Sequence, residues 1–335
     1  MNSSLNPPST AVIGCGYWGK NLVRNFADLG VLSAVCDNDD EAARKHAEKY
    51  GVDALPFDSV LEDDSLEAVA IATPAVTHAG LVERALNAGK HVFVEKPLAL
   101  EIGSAERLRV LAEENRRVLM VGHLLQYHSA FLELSKQVNE GRLGSLQYVS
   151  SHRLNLGKIR REENILWSFA PHDISMILSL MNGLPEKVTA VSSSFIDSKV
   201  ADITTSHLEF PGGRSAHIFV SWLHPYKEQK LVVSGDRCMA VFDDTEVWTE
   251  KLKLYPHSIE WRHDMPVPTK AMAENIAVTE NEPLQAELEH FLDCITGSMP
   301  CRTGADEAIN VLRVLEASER SARENRTVHL NEKVN

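Results

Sequence analysis

Cysteine is scarce in this chain and forms no pattern. The five cysteines, Cys15, Cys36, Cys238, Cys294 and Cys301, are odd in number and contain no C-x-x-C. A disulfide framework is therefore not expected, and the thiols read as reduced, mostly buried side chains of a cytoplasmic protein. The 14 histidines are scattered and H-E-x-x-H is missing, so no metal site is expected. Positive charge is also short: 34 Lys and Arg against 47 Asp and Glu leave a formal net charge of -13. That balance argues against nucleic acid or an anionic membrane as the main partner. No apolar run is long enough to span a bilayer. The polar, proline-bearing start MNSSLNPPST has neither the basic nor the apolar segment of a signal peptide, which again points to the cytoplasm. Internal repeats and low-complexity tracts are lacking too. What remains is 335 residues of ordinary globular balance, 44% hydrophobic and 24% charged, enough for two domains or one large one.

The first part of the chain alternates. Apolar strand-like runs near residues 10–14, 32–37, 66–74, 91–97 and 117–123 are separated by helical patterns, several closed by glycine (Gly30, Gly51, Gly89). A βαβα rhythm with short connections predicts a doubly wound parallel sheet, here a Rossmann-type domain over residues 1–122. After that the rhythm changes. A helix near 129–141 and a strand near 146–156 lead to a helix expected to enter at Pro171-His172-Asp173. Long strands follow, with hairpin turns at Pro211-Gly212-Gly213 and Asp236-Arg237. Residues 123–335 therefore read as an α+β domain, an open and mainly antiparallel sheet with helices on one face, closed by two amphipathic helices. An open sheet leaves a face that needs covering, so a homodimer or homotetramer through that face is expected.

Gly14, Gly16 and Gly19 form G-x-G-x-x-G in the stretch GCGYWG, after a strand and at the opening of a helix. The first glycine permits a tight turn. The second lets backbone approach a pyrophosphate held by the helix N-terminus, and the third allows close helix–strand packing. The motif calls for an acid about 20 residues further on, after the next strand. Asp37 stands there. Its carboxylate suits the two ribose hydroxyls of NAD, and Asn38, Asp39 and Asp40 beside it disfavour the 2′-phosphate of NADP. One of Asp39 and Asp40 is expected to cap the following helix. Tyr17 and Trp18 inside the motif, Thr73 and Pro74 at the end of a later strand, His78 in the helix that follows it, and Glu95 and Lys96 further on are also candidate cofactor contacts.

Residues Glu95-Lys96-Pro97 close another strand of that sheet. Proline ends ladder pairing, so Lys96 is held at a strand's carboxyl end, where open α/β sheets bind ligands. Punctuation of a strand would explain the same residues. Downstream, His172 opens a helical segment. Histidine at a helix start is more often a cap or core residue than a catalyst, and spacing alone does not join it to Lys96.

The stretch AVIGCGYWGKNLVRNF, the tripeptide EKP, the segment LWSFAPHDIS and the C-terminal segment from Glu282 to Glu324 together resemble the Gfo/Idh/MocA family of sugar-related oxidoreductases. The resemblance covers nearly the whole chain. It implies that Lys96 and His172 flank the nicotinamide, with Lys96 holding the reacting oxygen and His172 taking the proton. The family aspartate four residues before the histidine is replaced by Ser168, and Asp173 is the neighbouring acid.

The stretch SHRLNLGKIRREEN concentrates Arg153, Lys158, Arg160 and Arg161, with Asn155, in an otherwise acidic protein. Arginine forks suit phosphate oxygens, and an amide suits sugar hydroxyls. A solvated loop balanced by Glu162 and Glu163, or a contact between subunits, fits these residues equally well. Trp167 reads as a stacking surface or as a core side chain. Together with LWSFAPHD, the stretch resembles the nucleotide-sugar branch of the family. That resemblance implies oxidation of the C3 hydroxyl of UDP-N-acetylglucosamine to a 3-keto sugar for a partner aminotransferase, towards a 2,3-diamino sugar of lipid A. Oxidation or reduction of another sugar or cyclitol, as in inositol dehydrogenases, and a non-catalytic subunit binding NAD and a sugar nucleotide are the alternatives.

Overall fold

A computed structural model describes residues 7–157 and 159–332; Lys158 of the basic stretch lies outside the described residues. The chain forms two compact units. One holds the residues up to Tyr127 together with Glu282–Leu312. The other holds His128–Asn281 and the chain from Arg313 onward.

The first unit begins with β1 (Thr10–Ile13), α1 (Gly19–Asp28), β2 (Leu32–Cys36), α2 (Asp40–Tyr50), β3 (Asp53–Ala54) and α3 (Phe57–Glu62). It continues with β4 (Ala68–Ile71), α4 (Ala75–Asn87), β5 (His91–Glu95), α5 (Ile102–Glu114) and β6 (Leu119–Gly122). The six strands are all parallel, in the order β3-β2-β1-β4-β5-β6. This is the doubly wound order whose direction reverses between β1 and β4, the ligand-binding switch point of such sheets. β1, β4 and β6 are buried along their whole length, as a sheet covered on both faces requires. Asp39 caps α2 by accepting from the Glu41 and Ala42 amides, and Gly51 ends it in a left-handed conformation.

The second unit runs α6 (Ser129–Asn139), β7 (Leu146–Leu154), α7 (Ile165–Met181), β8 (Lys187–Ser193), β9 (Ile203–Glu209), β10 (Ser215–Ser221) and β11 (Glu228–Gly235). Then come β12 (Met239–Asp243), β13 (Leu252–Tyr255), β14 (Ser258–Arg262), β15 (Met265–Thr269) and β16 (Glu274–Asn275). Helices α8 (Pro283–Ile295) and α9 (Ala305–Glu324) and strand β17 (Val328–His329) close the chain. A nine-stranded sheet has the order β16-β13-β12-β11-β7-β10-β9-β8-β17, and β14-β15 make a separate ribbon. The two expected hairpins are present as β9-β10 and β11-β12. β10 runs parallel to β7, so the sheet is mixed and mainly antiparallel.

Two sequence expectations need correction. The helix bearing His172 does not enter at Pro171. It starts at Ile165, where the Asn164 side chain accepts from the Trp167 amide at 3.2 Å, and Pro171 lies inside it. Side-chain capping by Asn164 and burial of Ile165, Leu166 and Ala170 outweigh the one backbone donor that proline removes. The division at residue 122 also differs from the compact units, because residues 282–312 belong with the first. Leu284, Leu288 and Phe291 of α8 pack into the core formed by Val12, Leu22, Phe26 and Phe93. Glu282 pairs with Arg24 and accepts from Asn25 Nδ2.

Candidate functional site

The glycine loop has the shape its spacing demands. Gly14 has φ +93°, and a Cβ there would stand 2.8 Å from the Ala72 carbonyl oxygen. A Cβ on Gly19 would overlap the Gly14 carbonyl oxygen at 1.8 Å. Gly16 has nothing within 4 Å of its Cβ position, which leaves its backbone open to a ligand. Helix α1 follows with no side-chain cap and no acid in its first turn, so its amide end is available to an anion.

Asp37 stands at the carboxyl end of β2, partly buried. Its Oδ2 accepts from the Cys15 amide at 2.6 Å and its Oδ1 from the Asp39 amide at 2.9 Å. The carboxylate is thereby locked against the glycine turn, as a ribose contact requires. Burial, aided by the Asp37 charge, pushes the Cys15 thiol up to about 12 and the Cys36 thiol to about 11. Both are inert thiols that pack the turn. Replacing Asp37 with Ala or Ser is expected to weaken NAD binding by about 1.5–3 kcal/mol, the scale of one hydrogen bond to a charged group, and to narrow the preference over NADP. An unchanged NAD:NADP ratio in steady-state kinetics would remove Asp37 from the ribose.

The ends of β4 and β5 are braced together. His78 is 1% exposed, with Nδ1 at 2.7 Å from the Pro97 carbonyl oxygen and Nε2 at 2.8 Å from that of Thr73. Burial holds its ring below the usual histidine range. His78 therefore fixes the backbone around Thr73 and Lys96 and does not present itself as a ligand contact, a correction to the sequence reading. Thr73 is partly buried and bonds the Thr77 hydroxyl at 2.7 Å, whereas Pro74 is exposed. Tyr17 and Trp18 are the loop's exposed aromatics, at 82% and 38%. Trp18 Nε1 donates to Glu95 Oε1 at 2.5 Å, joining the glycine loop to the strand that ends in Lys96. Burial raises the Glu95 carboxyl, opposed by the Trp18 N–H and the Lys96 charge.

In the second unit, α7 places Ser168 and His172 one turn apart on the same face, with Ser168 buried and His172 partly so. Asp173, 1% exposed, faces β7. It accepts from Arg153 Nε at 2.7 Å, Arg153 Nη2 at 3.0 Å and Ser151 Oγ at 2.7 Å. This corrects two expectations. Arg153, expected to contact substrate phosphate or to sit in a solvated loop, does neither, because its fork is spent on Asp173 in a buried bidentate pair. Asp173 in turn is committed to β7, so it serves as the anchor of the His172 helix. Arg160 is exposed and pairs with Glu163 at 2.6 Å, Asn155 is partly buried, and Trp167 is partly buried. No motif in the sequence marks His123, Glu287 and Glu307, yet in the first unit His123 and Glu287 lie within electrostatic range of Glu95, and Glu307 bonds His123. The available signal was Glu287 itself, a charge set within the apolar stripe of α8.

Among the described residues no cluster of His, Cys, Asp or Glu suits a metal ion. No described helix is long and apolar enough to cross a membrane. The fold and the loop define a nicotinamide-nucleotide oxidoreductase. Residues 9–123 match the model of an oxidoreductase family with an NAD-binding Rossmann fold, and residues 131–241 match the GFO/IDH/MocA C-terminal domain. The chain belongs to the Gfo/Idh/MocA family and is an NAD-dependent sugar oxidoreductase. It is 27% identical to the UDP-N-acetylglucosamine 3-dehydrogenase of Acidithiobacillus ferrooxidans over 87% of this chain and 90% of that one. It is 26% identical to the inositol 2-dehydrogenase of Rhizobium meliloti over 95% and 98%. The solved structure of the Acidithiobacillus ferrooxidans enzyme superposes with a TM-score of 0.84 at 25% identity, covering 97% of this chain and 99% of that one.

Proposed function

We propose that the protein oxidises the C3 hydroxyl of UDP-N-acetylglucosamine to the 3-keto sugar. NAD, when bound, accepts the hydride. His172 takes the hydroxyl proton, and Lys96 donates to the oxygen as negative charge develops on it. The observation that carries the nucleotide-sugar reading is the segment 155–163. It is polar, carries the exposed Arg160, and runs directly into the capped start of the helix that bears His172. Asn155, Arg160 and Trp167 are the proposed sugar-nucleotide contacts on this unit. The similarity to UDP-N-acetylglucosamine 3-dehydrogenase supports the same substrate. A 3-keto sugar is a substrate for an aminotransferase, so we place a transamination next, on a route to a 2,3-diamino sugar of lipid A. Free thiols and a nucleotide-linked substrate support a cytoplasmic setting. The outer face of the nine-stranded sheet carries Tyr148, His152, His207, His217 and Phe219, and we propose that it pairs two or four copies of the chain. A monomer by light scattering at micromolar concentration would remove that assembly.

The substrate is tested by absorbance at 340 nm with NAD and a panel of sugars. UDP-N-acetylglucosamine is expected to react and free N-acetylglucosamine to react poorly, because remote binding groups position the reacting centre. Arg160→Ala is expected to weaken UDP-sugar binding, seen by calorimetry, and to leave NAD binding unchanged. The second reading, a cyclitol dehydrogenase, is favoured by the coverage of the inositol 2-dehydrogenase match. Free sugars or inositols that bind and react as well as the UDP-sugar would put that reading first.

A further inference from the structure

Helix α8 carries a carboxyl where its pattern calls for an apolar side chain. Leu284, Leu288 and Phe291 form its buried stripe, and Glu287 stands among them, 1% exposed. The packing shows what it faces. Phe291 meets Phe93 of β5 edge to face, ring centres 5.9 Å apart. One turn back along α8 from Phe291 is Glu287. Two residues on from Phe93, on the same side of the sheet, is Glu95. The Glu95 carboxyl lies over Gly122, where a Cβ would stand 3.1 Å from its Oε2.

Several charged and titratable groups of the first unit stand around this pair. Lys96 ends β5. His123, after β6, bonds Glu307 of α9 at 2.5 Å. Tyr127 lies within electrostatic range of Glu287, and of Cys301 and Arg302, whose guanidinium stands 5.3 Å from the Tyr127 ring centre. Along α8 stand Glu282, paired with Arg24, and His290 with Cys294 at 3.4 Å. Glu287 Oε1 is buried with no hydrogen-bond partner among the described residues.

A buried carboxylate without a partner is far costlier than a buried carboxylic acid, and a buried carboxyl beside a second, partly buried one does not readily ionise as well. We propose that Glu95 and Glu287 share one proton and that Glu287 holds it. Glu287 is thereby a positioning residue, keeping Glu95 the anion that faces Trp18 of the glycine loop and Lys96. Burial, then the charges of Glu95 and Glu307, push the Glu287 carboxyl well above the usual range, in accord with this assignment. The inference needs NAD binding only and stands whichever sugar is the substrate.

Two experiments test it without turnover. An acid whose folded value is raised keeps its proton while the unfolded chain loses it, so its penalty to stability grows as pH rises above the ordinary carboxyl value. Glu287→Gln removes that penalty. Its melting temperature is expected to gain on the wild type steadily from pH 5 to pH 8, and the gain is expected to shrink when Glu95 is already Gln. A gap that does not change with pH, or that ignores Glu95, overturns the proposal. Second, ligands of this fold bind at the carboxyl ends of the strands. The positive nicotinamide of NAD there favours ionisation of the pair, and the uncharged ring of NADH does not. Calorimetry in buffers of different ionisation enthalpy is expected to show NAD releasing a fraction of a proton more than NADH, a difference absent in Glu287→Gln. An equal release by both cofactors in the wild type, or a difference that persists in Glu287→Gln, overturns the proposal. If Glu287→Gln does not fold, infrared spectroscopy of the wild type at pH 7 decides. The C=O stretch of a buried protonated carboxylic acid is expected, and its absence overturns the proposal.

Discussion

Lys96→Met is expected to fold, to bind NAD within a few-fold of the wild type, and to lose turnover by about 100-fold or more, the scale of a lost oxyanion donor or general acid–base group. Lys96 sits where β5 stops at Pro97, on a segment braced by His78 through the carbonyls of Thr73 and Pro97. Methionine keeps the length and apolar stem of lysine and removes only the ammonium, so the loss should fall on kcat. His172→Ala is expected to act alike, because α7 is held by its Asn164 cap and by Asp173 whether or not the imidazole is present. The check is a pair of measurements, NAD affinity by calorimetry and single-turnover rate at 340 nm. Near-normal turnover in His172→Ala would make the histidine structural. Asp173, tied to Arg153 and Ser151, is then a poor substitute, and another base would have to be sought.

The first unit was legible because its signals are local. Glycine spacing fixes a turn whose atoms leave no room for side chains at Gly14 and Gly19, and the strand-end position of Asp37 follows from the period of one βα unit. What stayed hidden depends on contacts distant in sequence. The role of His78 depends on Pro97, which belongs to the next strand. The membership of α8 in the first unit depends on Phe291 meeting Phe93, and nothing in an amphipathic pattern names the surface it will cover. The start of α7 is obscured for another reason. Pro171 reads as a helix entry because the first turn is where proline is commonest in helices. Asn164, a residue type favoured at N-caps, precedes it and is the position at which the helix begins.

Arg153 shows the same limit with an energetic consequence. From sequence it belongs with Arg160 and Arg161 as a phosphate contact. In the fold it shares the buried side of β7 with Ser151, and both meet Asp173. Side chains only 9% and 2% exposed make this a desolvated pair. Removing one partner strands the other charge in the interior. Arg153→Ala is therefore expected to destabilise the protein by about 3–5 kcal/mol, against a total of roughly 5–15 kcal/mol for a folded domain. Urea unfolding should show a lower midpoint with an unchanged slope. The double variant Arg153→Met with Asp173→Leu is expected to recover much of the loss, since an apolar pair of similar volume requires no desolvated charges. Arg160→Ala, exposed and paired only with Glu163, is expected to change stability by less than about 1 kcal/mol. A stability loss under about 1 kcal/mol for Arg153→Ala would mean that Asp173 finds other partners, and would return Arg153 to the candidates for binding substrate phosphate.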